Sequence, residues 1–112
     1  MIYSAHEATP LVVAHRGSSG TRPEHTLVAY EQALREGADG VECDVRLTRD
    51  GRVVCVHDRR IDRTSSGTGI VSALTYEALS GHDYGTADDP ANVLLLSDLV
   101  DMVMSWKAKP AK

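Results

Sequence analysis

The chain has 112 residues, of which 42% are hydrophobic, and a formal net charge of −4. This length allows one compact domain with a modest core and excludes two domains of ordinary size. The charged residues, 25% of the sequence, are mixed in sign, which argues against nucleic-acid binding because that function needs clustered Lys and Arg. A phosphate-bearing small substrate remains compatible, since a bound cation can supply local positive charge.

The sequence also indicates where the protein resides. Apolar stretches such as Leu11–Ala14 are far too short to cross a bilayer, and residues 1–10 lack the basic start and apolar run of a secretory signal. With only Cys43 and Cys55, a disulfide framework is not the basis of the fold. We therefore expect a cytoplasmic, reduced setting and interpret residues 1–10 as an N-terminal tail.

Three elements are predicted in the first half of the chain. Residues 11–14 form a short β-branched run that indicates a buried strand. Thr26 precedes apolar residues at helical spacing, so it is a candidate N-cap, and Gly37 is a natural end for that helix. Residues 40–48 alternate between apolar and polar side chains, which predicts one continuous second strand.

A hairpin is predicted to follow the second strand. Asp50-Gly51 is a strong tight-turn signal, and residues 52–57 form the returning arm. If the loop contains only those two residues, Asp44 lies opposite His57 and their side chains share a face.

The same register sends Cys43 and Cys55 to opposite faces, so we do not expect a bridge between them. A shift of one residue would reverse the face of every side chain.

The second half of the chain is richer in loops. Residues 58–72 are polar and Gly-rich and predict an ordered loop, and residues 75–80 predict one or two helical turns. Ser97 is a candidate N-cap for a helix through Trp106. Its predicted apolar stripe comprises Leu99, Val100, Val103 and Met104. The order of strand, helix, hairpin, loop and helix indicates an α/β protein.

Two carboxylates form a candidate metal site. Glu42 and Asp44 are two residues apart on the predicted strand, so they share a face, with backbones roughly 6–7 Å apart. Oxygen ligands at that separation can converge on Ca²⁺ or Mg²⁺. An arbitrary Glu-x-Asp is more often a solvent-facing stripe, but the hairpin register would add His57 to this face.

His15 and Arg16 stand at the end of the first predicted strand. Ligands bind at the carboxyl ends of parallel strands in α/β proteins. A histidine and an arginine there could combine proton transfer with phosphate binding. The alternative for each residue alone is a histidine bonded within a turn and an arginine at the surface.

Taken together, these motifs resemble the glycerophosphodiester phosphodiesterase family. The resemblance is dense over residues 11–72, and residues 94–99 look like the start of a later helix in the family. The matching stretches are His15-Arg16-Gly17, Pro23-Glu24-His25-Thr26, Gly37-Ala38-Asp39, Glu42-Cys43-Asp44-Val45, Leu47-Thr48, Asp50-Gly51, Val53-Val54, His57-Asp58, Arg63-Thr64, Gly67 and Gly69.

The resemblance implies a fold, an activity and residue roles. The fold would be a partial TIM (β/α)8 barrel, with residues 11–112 supplying the first two βα units and a hairpin insertion. The activity would be hydrolysis of glycerophosphodiesters to glycerol 3-phosphate and an alcohol, in glycerophospholipid breakdown. By resemblance, the general acid/base pair is His15 and His57, Arg16 contacts the phosphate, and the ligands of a divalent cation, Ca²⁺ or Mg²⁺, are Glu42 and Asp44.

The sequence departs from the family pattern in two ways. His25 stands where the family usually has Asn. A full barrel needs about 250 residues, so we expect a truncated chain that lacks the family's third acidic ligand. One alternative is therefore an inactive barrel fragment that binds metal weakly at most and self-associates through open sheet edges. Another is a related phospholipase-type barrel enzyme, although Arg63-Thr64 and the glycines at 67 and 69 favour the glycerophosphodiester branch.

Overall fold

The computed structural model describes residues 2–3, 13–17, 22–86 and 90–107. No described helix is long and apolar enough to cross a membrane. In chain order, the described elements are β1 (Ile2–Tyr3), β2 (Val13–His15), α1 (Leu27–Arg35), β3 (Gly40–Glu42), β4 (Val45–Leu47), β5 (Val53–Cys55), a 3₁₀ turn (Val71–Ala73), α2 (Tyr76–Ser80) and α3 (Leu96–Lys107).

The strands form two small sheets. In the first, β2 and β3 are parallel and joined by α1, while β1 pairs antiparallel with the other edge of β3. Residues 1–10 were expected as a tail, yet Ile2–Tyr3 form a strand, and the other residues of that stretch lie outside the described part. The β2–α1–β3 unit makes this an α/β fold, as predicted. The described residues contain part of the repeating βα architecture of a barrel.

Local sequence signals define α1 well. The Thr26 side chain accepts a hydrogen bond from the Ala29 amide at 3.3 Å, which satisfies one of the free donors at the helix start. After the last helical residue, Gly37 has φ +92° and its amide donates to the Leu34 carbonyl at 3.1 Å. The predicted N-cap and helix end are both confirmed.

The predicted strand over residues 40–48 is two strands in the structure. β3 ends at Glu42 and β4 begins at Val45, so residues 43–44 belong to neither ladder. β3 pairs within the first sheet, whereas β4 pairs antiparallel with β5 in the second. The expected same-face placement of Glu42 and Asp44 on one continuous strand is therefore wrong, because the strand is interrupted after Glu42.

The hairpin register also differs from the prediction. Val45 pairs with Cys55 and Leu47 with Val53, which places residues 49–51 in a three-residue loop. The Thr48 amide donates to the Arg52 carbonyl at 2.9 Å, and Gly51 takes φ +79°. A three-residue loop that ends in a left-handed glycine is a common hairpin turn. The two-residue loop, and with it the pairing of Asp44 with His57, is wrong.

The altered register brings the two cysteines together. The side chains of Cys43 and Cys55 share a hydrogen bond, although they were expected on opposite faces. Both are free thiols. Burial raises the pKa of each thiol above its ordinary value. At neutral pH they therefore behave as small core side chains.

Two hydrophobic clusters flank the β5 strand. One joins α1, β3 and α3 through residues such as Tyr30, Val41 and Leu99, and the other packs the segment 54–95 around Val54, Ile61 and Leu79. Because β5 alternates its side chains, Val54 enters one cluster while Cys55 enters the other. The loop over residues 58–72 and the short helix α2 are thereby held against β5.

The final helix was predicted only in part. α3 begins at Leu96, and the Leu95 carbonyl accepts from the Asp98 and Leu99 amides, so Ser97 is not the N-cap. Of the predicted stripe, Leu99 and Val103 are buried. Val100 and Met104 are 37% and 59% exposed, because the core-facing side of α3 runs through Met102 and Trp106 instead.

Candidate active site

The parallel ladder brings His15 and Glu42 together. They are register partners at the carboxyl ends of β2 and β3. The His15 Nε2 lies 3.1 Å from Glu42 Oε1. The His15 side chain is 62% exposed, so it also faces solvent where a substrate could approach. The strand-end placement follows directly from parallel pairing.

Arg16 turns inward immediately after β2. Its φ is +59°, and its amide donates to the Glu42 carbonyl at 2.9 Å. The guanidinium Nη1 donates to Glu24 Oε2 at 2.8 Å, and Nε lies 3.4 Å from Asp44 Oδ2. Among the described residues, the Arg16 Nε and the Asp44 Oδ2 are buried atoms with no hydrogen-bond partner. These two polar atoms could therefore form hydrogen bonds with a bound ligand.

His25, which had no predicted role, lies at the centre of this group. It is buried, with φ +56°. Its Nε2 accepts from the Asp44 amide at 3.1 Å and lies 3.3 Å from Asp44 Oδ2, while Nδ1 lies 3.7 Å from Glu24 Oε2. Burial lowers the pKa of His25 below its ordinary value and outweighs the opposing charges of Asp44 and Glu24.

His57 is held by its neighbours in the loop after β5. Its Nδ1 lies 2.9 Å from Asp58 Oδ1, and its carbonyl accepts from Arg46 Nε and Nη2 at 3.0 and 2.9 Å. The imidazole is 48% exposed, so its remaining nitrogen is accessible. The ring is oriented by Asp58 and not by the hairpin pairing with Asp44 that the sequence predicted.

Arg63 connects the His57 region to the Arg16 region. Its guanidinium donates to both oxygens of Asp58, from Nε at 2.8 Å and from Nη2 at 3.0 Å, and its Nη1 pairs with Glu24. Ion pairs thus run from Asp44 through Arg16, Glu24 and Arg63 to Asp58 and His57. The predicted residues His15, Arg16, Glu42 and Asp44 are in direct contact as pairs, and His57 joins them through this series.

The ion pairs lower the pKa of two carboxylates of the series, Asp58 and Glu24. Hydrogen bonds from Arg63, and then from His57, lower the pKa of Asp58 well below its ordinary range. For Glu24, burial works against ionisation, but hydrogen bonds from Arg63 and Arg16 overcome it and lower the pKa. Glu24, Asp58 and Arg63 all stand in motifs that the sequence singled out, yet their mutual contacts depend on loop geometry that periodicity does not reveal.

Glu42 and Asp44 suit a divalent cation by their chemistry. Carboxylate oxygens are the ligands that Ca²⁺ and Mg²⁺ prefer, and the buried Asp44 Oδ2, 3.4 Å from Arg16 Nε, has no hydrogen-bond partner among the described residues. Within the described residues, no group of three or more His, Cys, Asp or Glu side chains is arranged to hold a metal ion. The two carboxylates therefore fit a cation as part of its coordination shell.

A polar cleft opens beside the series of ion pairs. Its volume is about 550 Å³, and its lining includes Glu24, Arg63, Ser65 and Tyr84. This size is in the range of small-molecule sites. The Arg63 guanidinium gives the cleft a positively charged group suited to an oxygen-rich ligand.

The fold and these side chains define a class of protein. A parallel β2–α1–β3 unit that gathers imidazole, guanidinium and carboxylate groups at its strand ends is typical of an α/β barrel enzyme. The sequence matches the Glycerophosphoryl diester phosphodiesterase family over residues 15–110. The chain belongs to this family, and the resemblance read from its motifs is confirmed.

Curated relatives support this assignment. The probable glycerophosphodiester phosphodiesterase 1 of Mycobacterium tuberculosis is 55% identical over 112 residues, which cover 92% of this chain and 40% of that protein. A glycerophosphodiester phosphodiesterase of Bacillus altitudinis is 40% identical and is matched over 82% of this chain and 39% of its own length. The chain thus spans about 40% of these relatives.

Solved structures agree with the described fold. A glycerophosphodiester phosphodiesterase from Agrobacterium tumefaciens superimposes with a TM-score of 0.83 at 33% identity, covering 88% of this chain and 44% of that one. An Oleispira antarctica phosphodiesterase in complex with the product sn-glycerol-3-phosphate has a TM-score of 0.82 at 33% identity, covering 87% and 41%. The described residues therefore correspond to less than half of a family domain.

Proposed function

We propose that the protein containing this segment hydrolyses glycerophosphodiesters to glycerol 3-phosphate and an alcohol, using a divalent cation, in glycerophospholipid breakdown. The observation that carries the proposal is the joining of His15 and Arg16 to Glu42 and Asp44 by the β2–β3 ladder. It is supported by family membership and by the product complex of the Oleispira antarctica protein.

Arg16 and the two carboxylates account for recognition of a phosphodiester. The Arg16 guanidinium, which is held by Glu24 and Asp44, would bind a phosphoryl oxygen through its remaining N–H groups. Glu42 and Asp44 would hold the cation, either Ca²⁺ or Mg²⁺. When bound, such a cation offsets negative charge on the phosphoryl oxygens.

The two accessible imidazoles would carry the proton transfers. Hydrolysis requires a proton for the leaving alkoxide and removal of one from the attacking nucleophile, and histidine titrates in the range that permits both. Asp58 orients His57 through Nδ1 and leaves its other nitrogen directed elsewhere. His15 has its Nε2 at the Glu42 carboxylate, which places it next to the proposed cation ligands.

A chimera tests the proposed activity in a complete domain. Residues 1–112 replace the aligned segment of the Mycobacterium tuberculosis relative. Release of glycerol 3-phosphate from glycerophosphocholine by this chimera is then measured with Mg²⁺, with Ca²⁺ and after chelation of metal. We expect metal-dependent hydrolysis. His15→Ala or His57→Ala should each lower kcat by about 10²–10⁴-fold, the usual contribution of a general acid or base.

His82→Ala is the matched control, because His82 is a histidine outside the series of ion pairs. It should retain activity. A folded chimera that fails to release glycerol 3-phosphate, or that cleaves sphingomyelin in preference to glycerophosphocholine, would refute the proposal. The second result would favour the related phospholipase class.

A further inference from the structure

Two side chains at or near the start of α1 form hydrogen bonds to the segment that separates β3 from β4. On one side, the Tyr30 hydroxyl donates to the Glu42 carbonyl at 3.0 Å. On the other, the Asp44 amide donates to His25 Nε2 at 3.1 Å. Residues 43–44 lie outside both strand ladders, so His25 supplies the acceptor that the Asp44 amide would have found in a continuous strand. The Tyr30 bond adds to the one that the Glu42 carbonyl accepts from the Arg16 amide at 2.9 Å.

We propose that His25 is a positioning residue which, together with Tyr30, fixes the Glu42–Asp44 segment that carries the two proposed ligands of a divalent cation. The inference rests on the proposed function for the identity of the ligand. It assigns to His25 an action on the Asp44 backbone.

The surroundings of His25 select one form of its ring. Nε2 accepts the Asp44 amide proton, so the neutral ring carries its own proton on Nδ1, which faces Glu24 Oε2 at 3.7 Å. The ring lies tilted against Tyr30, with centroids 6.3 Å apart at 58°. The residue is buried, with 5% of its surface exposed.

The backbone of His25 is also unusual. A φ of +56° is left-handed, a conformation that is uncommon outside glycine, although Asn, Asp and His adopt it more often than other residues. Such a conformation persists where the surrounding contacts determine it, and it is concentrated at functional sites. From this left-handed turn, His25 reaches the Asp44 amide with its Nε2.

The Asp44 carboxylate depends on this contact for its direction. Its Oδ2 lies 3.3 Å from His25 Nε2 and 3.4 Å from Arg16 Nε, and it has no hydrogen-bond partner among the described residues. Anchoring the amide fixes the starting point of a short side chain. Groups that orient metal ligands in this way typically change metal affinity by 10–100-fold when they are removed.

Two substitutions of matched length test the proposal in the 112-residue chain. His25→Leu and His25→Gln both place a long, unbranched-at-Cβ residue in the left-handed turn, but only Gln offers an acceptor near the position of Nε2. Tyr30→Phe keeps the aromatic ring and removes the donor to Glu42. ¹⁵N spectra report the His25 tautomer, hydrogen exchange reports the Asp44 amide, and titration with Mg²⁺ or Ca²⁺ reports affinity.

In the wild-type chain, we expect the Nδ1–H tautomer and a protected Asp44 amide. His25→Leu should speed exchange of that amide and weaken cation binding, each by about tenfold or more, whereas His25→Gln should retain most of both. Tyr30→Phe should weaken cation binding without changing the His25 tautomer.

A wild-type ring protonated on Nε2, or an Asp44 amide that exchanges equally in wild type and His25→Leu, would overturn the inference. Should His25→Leu fail to fold, the wild-type tautomer decides alone. A wild-type chain that shows the predicted tautomer and exchange but no response to either cation leaves His25 holding Asp44 and overturns the link to the cation in this inference, whereas the cation in the proposed function is decided by the metal dependence of the chimera. The two failures are therefore distinguishable.

Discussion

Replacement of Gly17 by alanine should destabilise the chain through a direct collision with α1. Gly17 follows Arg16, has φ +83°, and an added Cβ would lie 2.9 Å from the Ala29 carbonyl carbon and 2.9 Å from the Tyr30 nitrogen. The left-handed conformation costs an L-residue about 1–2 kcal/mol. Forcing an atom into a packed region costs about 1–3 kcal/mol more, for a total of about 2–5 kcal/mol.

Gly37→Ala is the matched control for this prediction. Gly37 has φ +92°, but its added Cβ would meet nothing within 4 Å, so it should cost only the conformational part, about 1–2 kcal/mol. Urea unfolding followed by far-UV circular dichroism gives the free energy of unfolding of both variants. If Gly17→Ala costs no more than Gly37→Ala, the close packing of the Arg16 turn on α1 is refuted.

Three further substitutions test other parts of the structure. The folded pKa of Asp58 is depressed below its ordinary 3.8, so the stabilisation from this carboxylate is complete above pH 3.8 and is lost as the pH falls through the folded pKa. Asp58→Asn should therefore lower the free energy of unfolding at neutral pH and make that free energy decline less in acid. An unchanged acid profile in the variant would contradict this prediction. Thr26→Ala removes the α1 N-cap and should cost about 0.5–2 kcal/mol by urea unfolding, with Thr26→Ser restoring most of it. Leu99→Ala, at a fully buried position, should lower the free energy of unfolding by about 2–5 kcal/mol. Met104→Ala, at an exposed position, should change it by less than about 0.5 kcal/mol. Equal effects of the two substitutions would refute the assigned face of α3.

The sequence predicted those elements whose signals are local. Thr26 and Gly37 identified both ends of α1, because capping depends on the residue itself and on neighbours three or four positions away. The strand-end position of His15 and Arg16 also followed from the sequence. In α3, a local signal was insufficient, because Ser97 satisfied the N-cap pattern while packing of Leu96 and Leu99 on the core set the actual start.

The hairpin shows why register could not be predicted. Asp50-Gly51 is compatible with a two-residue loop and equally with a three-residue loop that ends in Gly51. The structure adopts the longer loop, in which the Thr48 hydroxyl accepts from the Arg52 amide at 2.8 Å. A loop longer by one residue shifts every facing pair of the hairpin. As a result, the side chains of Cys55 and Cys43 lie together, and His57 does not lie opposite Asp44.

The displaced His57 explains the form of the ion-pair series. Since strand pairing does not carry His57 to Asp44, its orientation must come from the loop, and Asp58 supplies it. Asp58 is a poor anchor alone, because an exposed carboxylate is mobile and its pairing is weak. Arg63 removes that freedom by binding both Asp58 oxygens and Glu24 together. Glu24 in turn accepts a hydrogen bond from Arg16, so alternating charges connect the loop after β5 to the end of β2. Removing Arg63 would therefore free His57 from this series of ion pairs while leaving His15 and Glu42 paired.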